Sequence, residues 1–422
     1  MLQHITVDEW IEHRAASFKS VSSSVLEIIQ DVAARGDEAL FELSLKFDDV
    51  SLDTLEVSEE TILSAFDEVD QETLEALMNA FERIMMFHLL QKQKDLWMQA
   101  AGPGVMLGVK VTPLERIGIY VPGGKAAYPS TVLMCAIPAL VAGVSEICVC
   151  TPPTENGPSA LTLIACALCG IEEIYQVGGA QAIAAMAYGT ESIPSVDKIV
   201  GPGNEYVAFA KRVVNGTVAI DFPAGPSEIA VIADDSANAV FVAADIIAQS
   251  EHDPSAASVL ITPSERFANL VSKKIKSQLK NTARKEIIEA ALQNAGVIIT
   301  ADLDEAVDCA NEIAPEHLSV QVAEPLALIQ QIHHAGSIFL GSYTPVACGD
   351  YASGTNHVLP TAGAARTYSG LNVSHFTKTS TVQMITKEGL MEIHDAIEKL
   401  ANAEGLQAHA DSVRIRLDEE HL

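Results

Sequence analysis

DKIVGPGNEYVAFAKRV (197–213) decides the fold. DKIV is a short strand run, GPGN a glycine-bearing turn, and EYVAFAKRV opens a helix. The same unit recurs on both sides. Upstream, IGIYV runs into PGG and a helical stretch marked by Leu133, Ala136, Ile137 and Leu140. EICVCT, then SALTLIACALCG ending at Gly170, repeats it. EEIYQV followed by GGAQAIAAMA repeats it again, and TVAID closes the series. Downstream, EIAVIADD leads into the helix SANAVFVAADIIAQSE. ASVLITP leads into a helical segment around 268–279, and AGVIIT, LSVQV and GSIFLG continue the alternation. Strand and helix at this short spacing predict parallel sheets with helices on both faces. Such sheets place binding sites at the carboxyl ends of their strands. The two series share a layout but not residues, the pattern of a possible duplication.

The flanks read differently. In 22–36 the apolar residues Val25, Ile28, Ile29, Val32 and Ala33 follow helical spacing, with serines before and Gly36 after. A long amphipathic pattern runs over 71–94, so the first hundred residues are expected to be helical, with the first fifteen or so as an arm. After Gly341 periodicity is lost through SYTPVACGDYASGTNHVLPTAGAARTYSGLN, and a loop of that length in a compact chain is usually functional. From about Lys387 the tail is helical, with Leu390, Ile393, Ile397 and Leu400 on one face and Gly405 as its break.

Composition excludes several classes. The chain has 422 residues, 48% of them hydrophobic, and a formal charge of −30. That charge disfavours nucleic acid and anionic membrane surfaces, which require basic patches. The start lacks a basic-then-apolar leader, and the longest apolar run (131–144) contains Pro138 and is too short to span a bilayer. A cytoplasmic protein is expected. Seven cysteines argue against a disulfide framework. Cys148, Cys150, Cys166 and Cys169 sit in apolar segments and read as small buried hydrophobes.

Three stretches offer chemistry. In AQSEHD (248–253), Gln249 and His252 share one helix face and can supply oxygen and nitrogen to an open, catalytic type of metal site. By itself the pair also fits an ordinary helix end. In APEHLSV (314–320), Glu316 beside His317 pairs a carboxylate able to activate water with an imidazole able to take an alcohol proton near neutrality. In GDYASGTNHVLP (349–360), Asp350 is a further possible ligand, Cys348 a rival nucleophile, and His357 a polar loop histidine. His409 stands in the tail in similar company. The three glycine-bearing loops, VPGGK (121–125), VGGAQ (177–181) and GPGN (201–204), suit close approach of a phosphate to a helix start. They serve equally as plain strand–helix turns. Gly201 and Gly203 give two of the three fingerprint glycines, with Tyr206 at the third position.

Together and in this order, PGG, VGGAQAIAA, GPGN, FPAGPSE, AQSEH, APEHL, GDYASGTNHVLPT and EGLQAH closely resemble the histidinol dehydrogenase family across essentially the whole chain. The resemblance implies NAD-dependent oxidation of L-histidinol to L-histidine through L-histidinaldehyde, with one zinc ion per site. It implies zinc ligands Gln249, His252, Asp350 and His409, and proton handling by Glu316 and His317. Substrate would be held by Ser227, Glu404 and His317 together with the zinc ligands, and NAD by Tyr120, Gln181 and Asn204. His357 would support the ligands. The implied architecture is two incomplete Rossmann-like parallel-sheet domains, one inserted in the other. This gives an arm (1–15), a large domain (16–119 and 228–370), an inserted NAD domain (120–227) and a helical tail (371–422) reaching a partner in a homodimer. A relative acting on another hydroxymethyl substrate, such as a sulfonated diol, is the alternative. Glu404 favours histidinol over it, because a carboxylate suits an imidazole.

Overall fold

The structure, a computed structural model, describes residues 2–14, 21–123, 127–223 and 225–418. Gly124 and Lys125 of the first glycine-bearing loop, and Ala224 of FPAGPSE, lie outside the described residues. Along the chain the described strands are β1 (Gln3–His4), β2 (Leu96–Gly102), β3 (Val105–Pro113), β4 (Arg116–Tyr120), β5 (Glu146–Thr151), β6 (Glu173–Gln176), β7 (Lys198–Val200), β8 (Ala219–Ile220), β9 (Glu228–Ala233), β10 (Ala257–Thr262), β11 (Ala295–Ile299), β12 (His317–Gln321), β13 (Ser337–Leu340) and β14 (Thr377–Ile385).

They form three sheets. One is parallel in the order β6-β5-β4-β7-β8. A second, also parallel, has the order β1-β11-β10-β9-β12-β13. Each series starts in mid-sheet, runs outward one way, then reverses to the other side of its first strand. Apart from the added β1, the two windings match, as the repeated layout predicts. The central runs EIAVIA and ASVLIT are buried at every position, as strands covered on both faces must be. Alternation then divides the second sheet's core. Ile229, Val231 and Leu260 pack with Val242 and Ile246 of the helix Ala239–Ser250, while Ala230, Ile232, Val259 and Leu318 pack with Val307 and Ala310 of the helix Leu303–Ile313. Cys148, Cys150, Cys166 and Cys169 are buried, unpaired core residues, as expected. Among the described residues no helix is long and apolar enough to cross a membrane.

Both parallel sheets belong to one compact unit, residues 1–91 and 115–375; a second unit comprises 92–114 and 376–422. The second unit differs from the expectation of helices alone. Its sheet, in the order β14-β3-β2, is antiparallel, and β14 pairs β3 from Thr377↔Pro113 to Ile385↔Val105. The helices Lys387–Ala403 and Gln407–Leu417 complete it. These strands are mostly exposed or half-buried, so they lack the apolar run that marks a covered strand. Their pairing also joins remote segments that no local window reveals.

Candidate active site

The glycine-bearing loops follow β4, β6 and β7, at the carboxyl edge of the first sheet. The reversal of winding falls between β4 and β7, where a ligand crevice opens in folds of this kind. Gly201 has φ +115, and a Cβ there would lie 2.2 Å from the Tyr120 carbonyl oxygen, so only glycine fits. The loop is held at both peptide groups. Lys211 Nζ donates to Gly201 O (2.9 Å), and Gly201 N–H donates to Asp221 Oδ2 (3.0 Å). Lys211 and Asp221 also form a buried ion pair. Tyr120 is buried, and its hydroxyl accepts from Gly179 N–H at 3.0 Å, joining the first loop to the second. Burial pushes its phenol up to about 12, against the Gly179 N–H. Gln181 is buried in the first turn of the helix Gly179–Tyr188. Asn204 caps the helix Glu205–Val214, its side chain accepting from Tyr206 and Val207 N–H. Asn204 itself is exposed.

The second sheet departs from the carboxyl-edge rule. Glu316 and His317 lie at the amino end of β12, and Ser227 immediately precedes β9. Gln249 and His252 sit where the helix Ala239–Ser250 ends, antiparallel to the strands. A helix C-terminus carries exposed carbonyls and favours positive charge. This edge therefore suits a cation, where the glycine loops suit a phosphate.

The geometry prepares a proton acceptor. His317 is 4% exposed, and its Nδ1 lies 3.2 Å from Glu228 O. A carbonyl can only accept, so Nδ1 carries the hydrogen and Nε2 keeps its lone pair. That Nε2 is buried without a hydrogen-bond partner, with Asp350 Oδ1 3.8 Å away. Burial lowers the imidazole to about 3, with His252 and His357 acting in the same direction and the Glu228 carbonyl opposing. Glu316 is 5% exposed, and its Oε2 accepts from Glu228 N–H at 2.7 Å. Burial raises it well above the usual carboxylate range, and the nearby Glu228 and Asp350 carboxylates add to this. Asp350 is pushed up by burial to about 7. It lies in the short turn Cys348–Ala352, and its backbone oxygen accepts from His357 Nδ1 at 2.8 Å. Burial holds His357 down at about 4. His252 is solvent-accessible at the rim, yet its pKa is lowered, chiefly by desolvation of the ring, with Glu251 opposing.

The residues fit a metal on one observation above all. Gln249 is 2% exposed, and neither its Oε1 nor its Nε2 has a hydrogen-bond partner. A buried amide left bare is costly unless a ligand satisfies it. An amide oxygen is a donor type that an open, non-thiolate zinc site accepts. Among the described residues no three His, Cys, Asp or Glu side chains converge as a metal cluster. Gln249, His252, Glu316, His317, Asp350 and His357 belong to the first unit, while Glu404 and His409 belong to the second and are exposed. Two residues to which the sequence assigned no role adjoin the pair. Arg14 donates to both carboxylate oxygens of Glu228, at 3.1 and 3.3 Å. A lone arginine in an arm gives no local signal of a partner 214 positions away.

Known proteins resemble the chain in both sequence and fold. A family model described as histidinol dehydrogenase matches residues 11–417. The chain is 51% identical to histidinol dehydrogenase of Methanosarcina mazei over 404 residues, 96% of this chain and 93% of that one. It is 50% identical to that of Methanocaldococcus jannaschii over 408 residues, 96% and 95% of the two chains. The crystal structure of histidinol dehydrogenase from Elizabethkingia anophelis superposes with a TM-score of 0.95 at 40% identity, covering 99% of this chain and 98% of that one.

Proposed function

The chain belongs to the histidinol dehydrogenase family, and we propose that Glu316 and His317 carry its chemistry at a zinc site built from Gln249, His252, Asp350 and His409. The enzyme is an NAD-dependent oxidoreductase that converts L-histidinol to L-histidine through L-histidinaldehyde, the last step of histidine biosynthesis. The sulfonated-diol alternative finds no support in these likenesses. The bare, buried Gln249 amide carries the metal reading.

When bound, zinc orients the amino alcohol and lowers its hydroxyl pKa, and NAD accepts the hydride of each oxidation. His317 Nε2 takes the hydroxyl proton in the first oxidation, while its Nδ1–H goes on donating to Glu228 O. Glu316 takes a proton from the water that attacks the aldehyde in the second. Ser227 and Glu404 hold the substrate, the carboxylate of Glu404 toward its imidazole. Tyr120, Gln181 and Asn204 contact NAD, and His357 fixes the turn that carries Asp350. The ligand set is completed by His409 of the partner subunit in a cytoplasmic homodimer with one zinc per site. Histidinol and NAD, with and without a chelator, test the reading: two NADH should form per histidinol, and none without metal. One NADH with release of aldehyde would overturn it. Refolding His252→Asn with His409→Asn chains should restore activity lost in each; no recovery would return His409 to its own chain.

A further inference from the structure

Glu228 touches both proton-handling side chains through its main chain. Its N–H donates to Glu316 Oε2 and its C=O accepts from His317 Nδ1, at 2.7 and 3.2 Å. In the β9–β12 ladder Ile229 lies opposite His317, so Glu228 is the cross-strand neighbour of Glu316. A displacement of this one residue therefore moves both side chains. Its own carboxylate, 2% exposed, is fixed from two directions. Arg14 contributes its guanidinium, and Ala362 N–H donates to Oε1 at 3.1 Å. Arg14 also donates to Ile313 O, at the end of the helix that delivers Glu316. Between them Ala314 turns the chain through φ +51. Gly363, with φ +79, leaves room for the guanidinium: a Cβ there would lie 2.8 Å from Arg14 Nη2.

We propose that the buried Arg14–Glu228 pair is a positioning device that sets Glu316 and His317 for proton transfer. Neither residue contacts the reacting atoms in this scheme, and the inference rests on the proposed roles of Glu316 and His317. A displacement of about 1 Å in such a constellation costs on the order of 10²-fold in rate. Arg14→Met is expected to lower kcat about 10²-fold while KM for histidinol stays within threefold. In a His317→Asn background the same change should cost less than threefold in the alcohol step, because the group it positions is already gone. Arg14→Lys, which keeps the charge, should recover much of kcat. Where Arg14→Met fails to fold because Glu228 is left buried alone, Arg14→Met/Glu228→Leu removes both charges and should fold while keeping the kcat loss. An equal loss in both backgrounds, or a folded double variant with full kcat, overturns the inference. A fully active His317→Asn chain would instead overturn the proposed function.

Discussion

The two parallel sheets share a winding and use opposite edges. The sheet centred on β4 presents glycines, main-chain N–H groups and helix starts at its carboxyl edge. The sheet centred on β9 presents carboxylates, imidazoles and helix ends at its amino edge. In a strand–helix–strand unit the carboxyl edge collects helix N-termini and the amino edge helix C-termini, so one fold offers two electrostatic faces. An anion suits the first. A cation fits the second, whose site is correspondingly made of side chains. Each sheet also buries one ion pair behind its working edge: Lys211–Asp221 in the first, Arg14–Glu228 in the second.

The comparison breaks most visibly at the bases. His317→Asn should lose a factor of about 10²–10⁴ in kcat for histidinol, and Glu316→Gln a similar factor in oxidation of supplied histidinaldehyde. NAD affinity, measured by fluorescence titration, should change in neither. Normal aldehyde oxidation by Glu316→Gln would remove water activation from that residue. Next is Lys211→Met, which leaves Asp221 buried without its cation. A loss of about 3–5 kcal/mol in urea unfolding is expected, partly restored in Lys211→Met/Asp221→Leu, which removes the bare charge but leaves Gly201 N–H without its acceptor. Unlike the Arg14 variants, the restored chain should show its defect in KM for NAD, since the pair holds the Gly201 loop.

A pH experiment probes the same helix one turn before Gln249. Asp245 is buried against the Gln321 amide (2.7 Å), and burial raises its carboxyl to about 6. The folded chain thus binds this proton more tightly than the unfolded chain does. The stabilisation is complete below about pH 4 and is lost as pH rises through 6. Thermal melts from pH 4 to 7 should show Asp245→Asn gaining on the parent by up to about 3 kcal/mol at the upper end. A constant difference would mean that Asp245 is not protonated in the fold. The smallest effect belongs to the glycine edge. Gly179→Ala places a side chain at φ +62, at a cost of about 1–2 kcal/mol, and presses on Gln181 Oε1 at 2.8 Å. KM for NAD should rise roughly 5- to 30-fold with KM for histidinol unchanged. A change in both would mean that the two edges are not functionally separate.

The sequence made the parallel sheets legible because their strands are covered on both faces and read as unbroken apolar runs. Helix stops were equally plain: Gly36, expected to end its helix, does so with φ +58. Gln249 and His252 were legible as a pair because a single helix face holds them. Which edge of the second sheet they stand at was not, because the carboxyl-edge rule points away from the amino end where Glu316 and His317 lie. Arg14 and Glu228 were invisible for a different reason. A salt bridge between an arm and a strand start leaves no periodicity, and burial alone reveals that the two charges face each other. The β2–β3 hairpin escaped because its faces are half wet.

That hairpin has a consequence for how the chain is made. β3 ends at Pro113, and the strand that covers its free edge begins at Thr377. On a ribosome adding about 5–20 residues per second, roughly 15–50 s separate the two. Throughout that interval one edge of the nine-residue β3 offers unpaired peptide groups, the template on which a stray strand adds. Both parallel sheets can be complete before β14 emerges, so this small sheet is the last to close and the one most exposed to misassembly during synthesis.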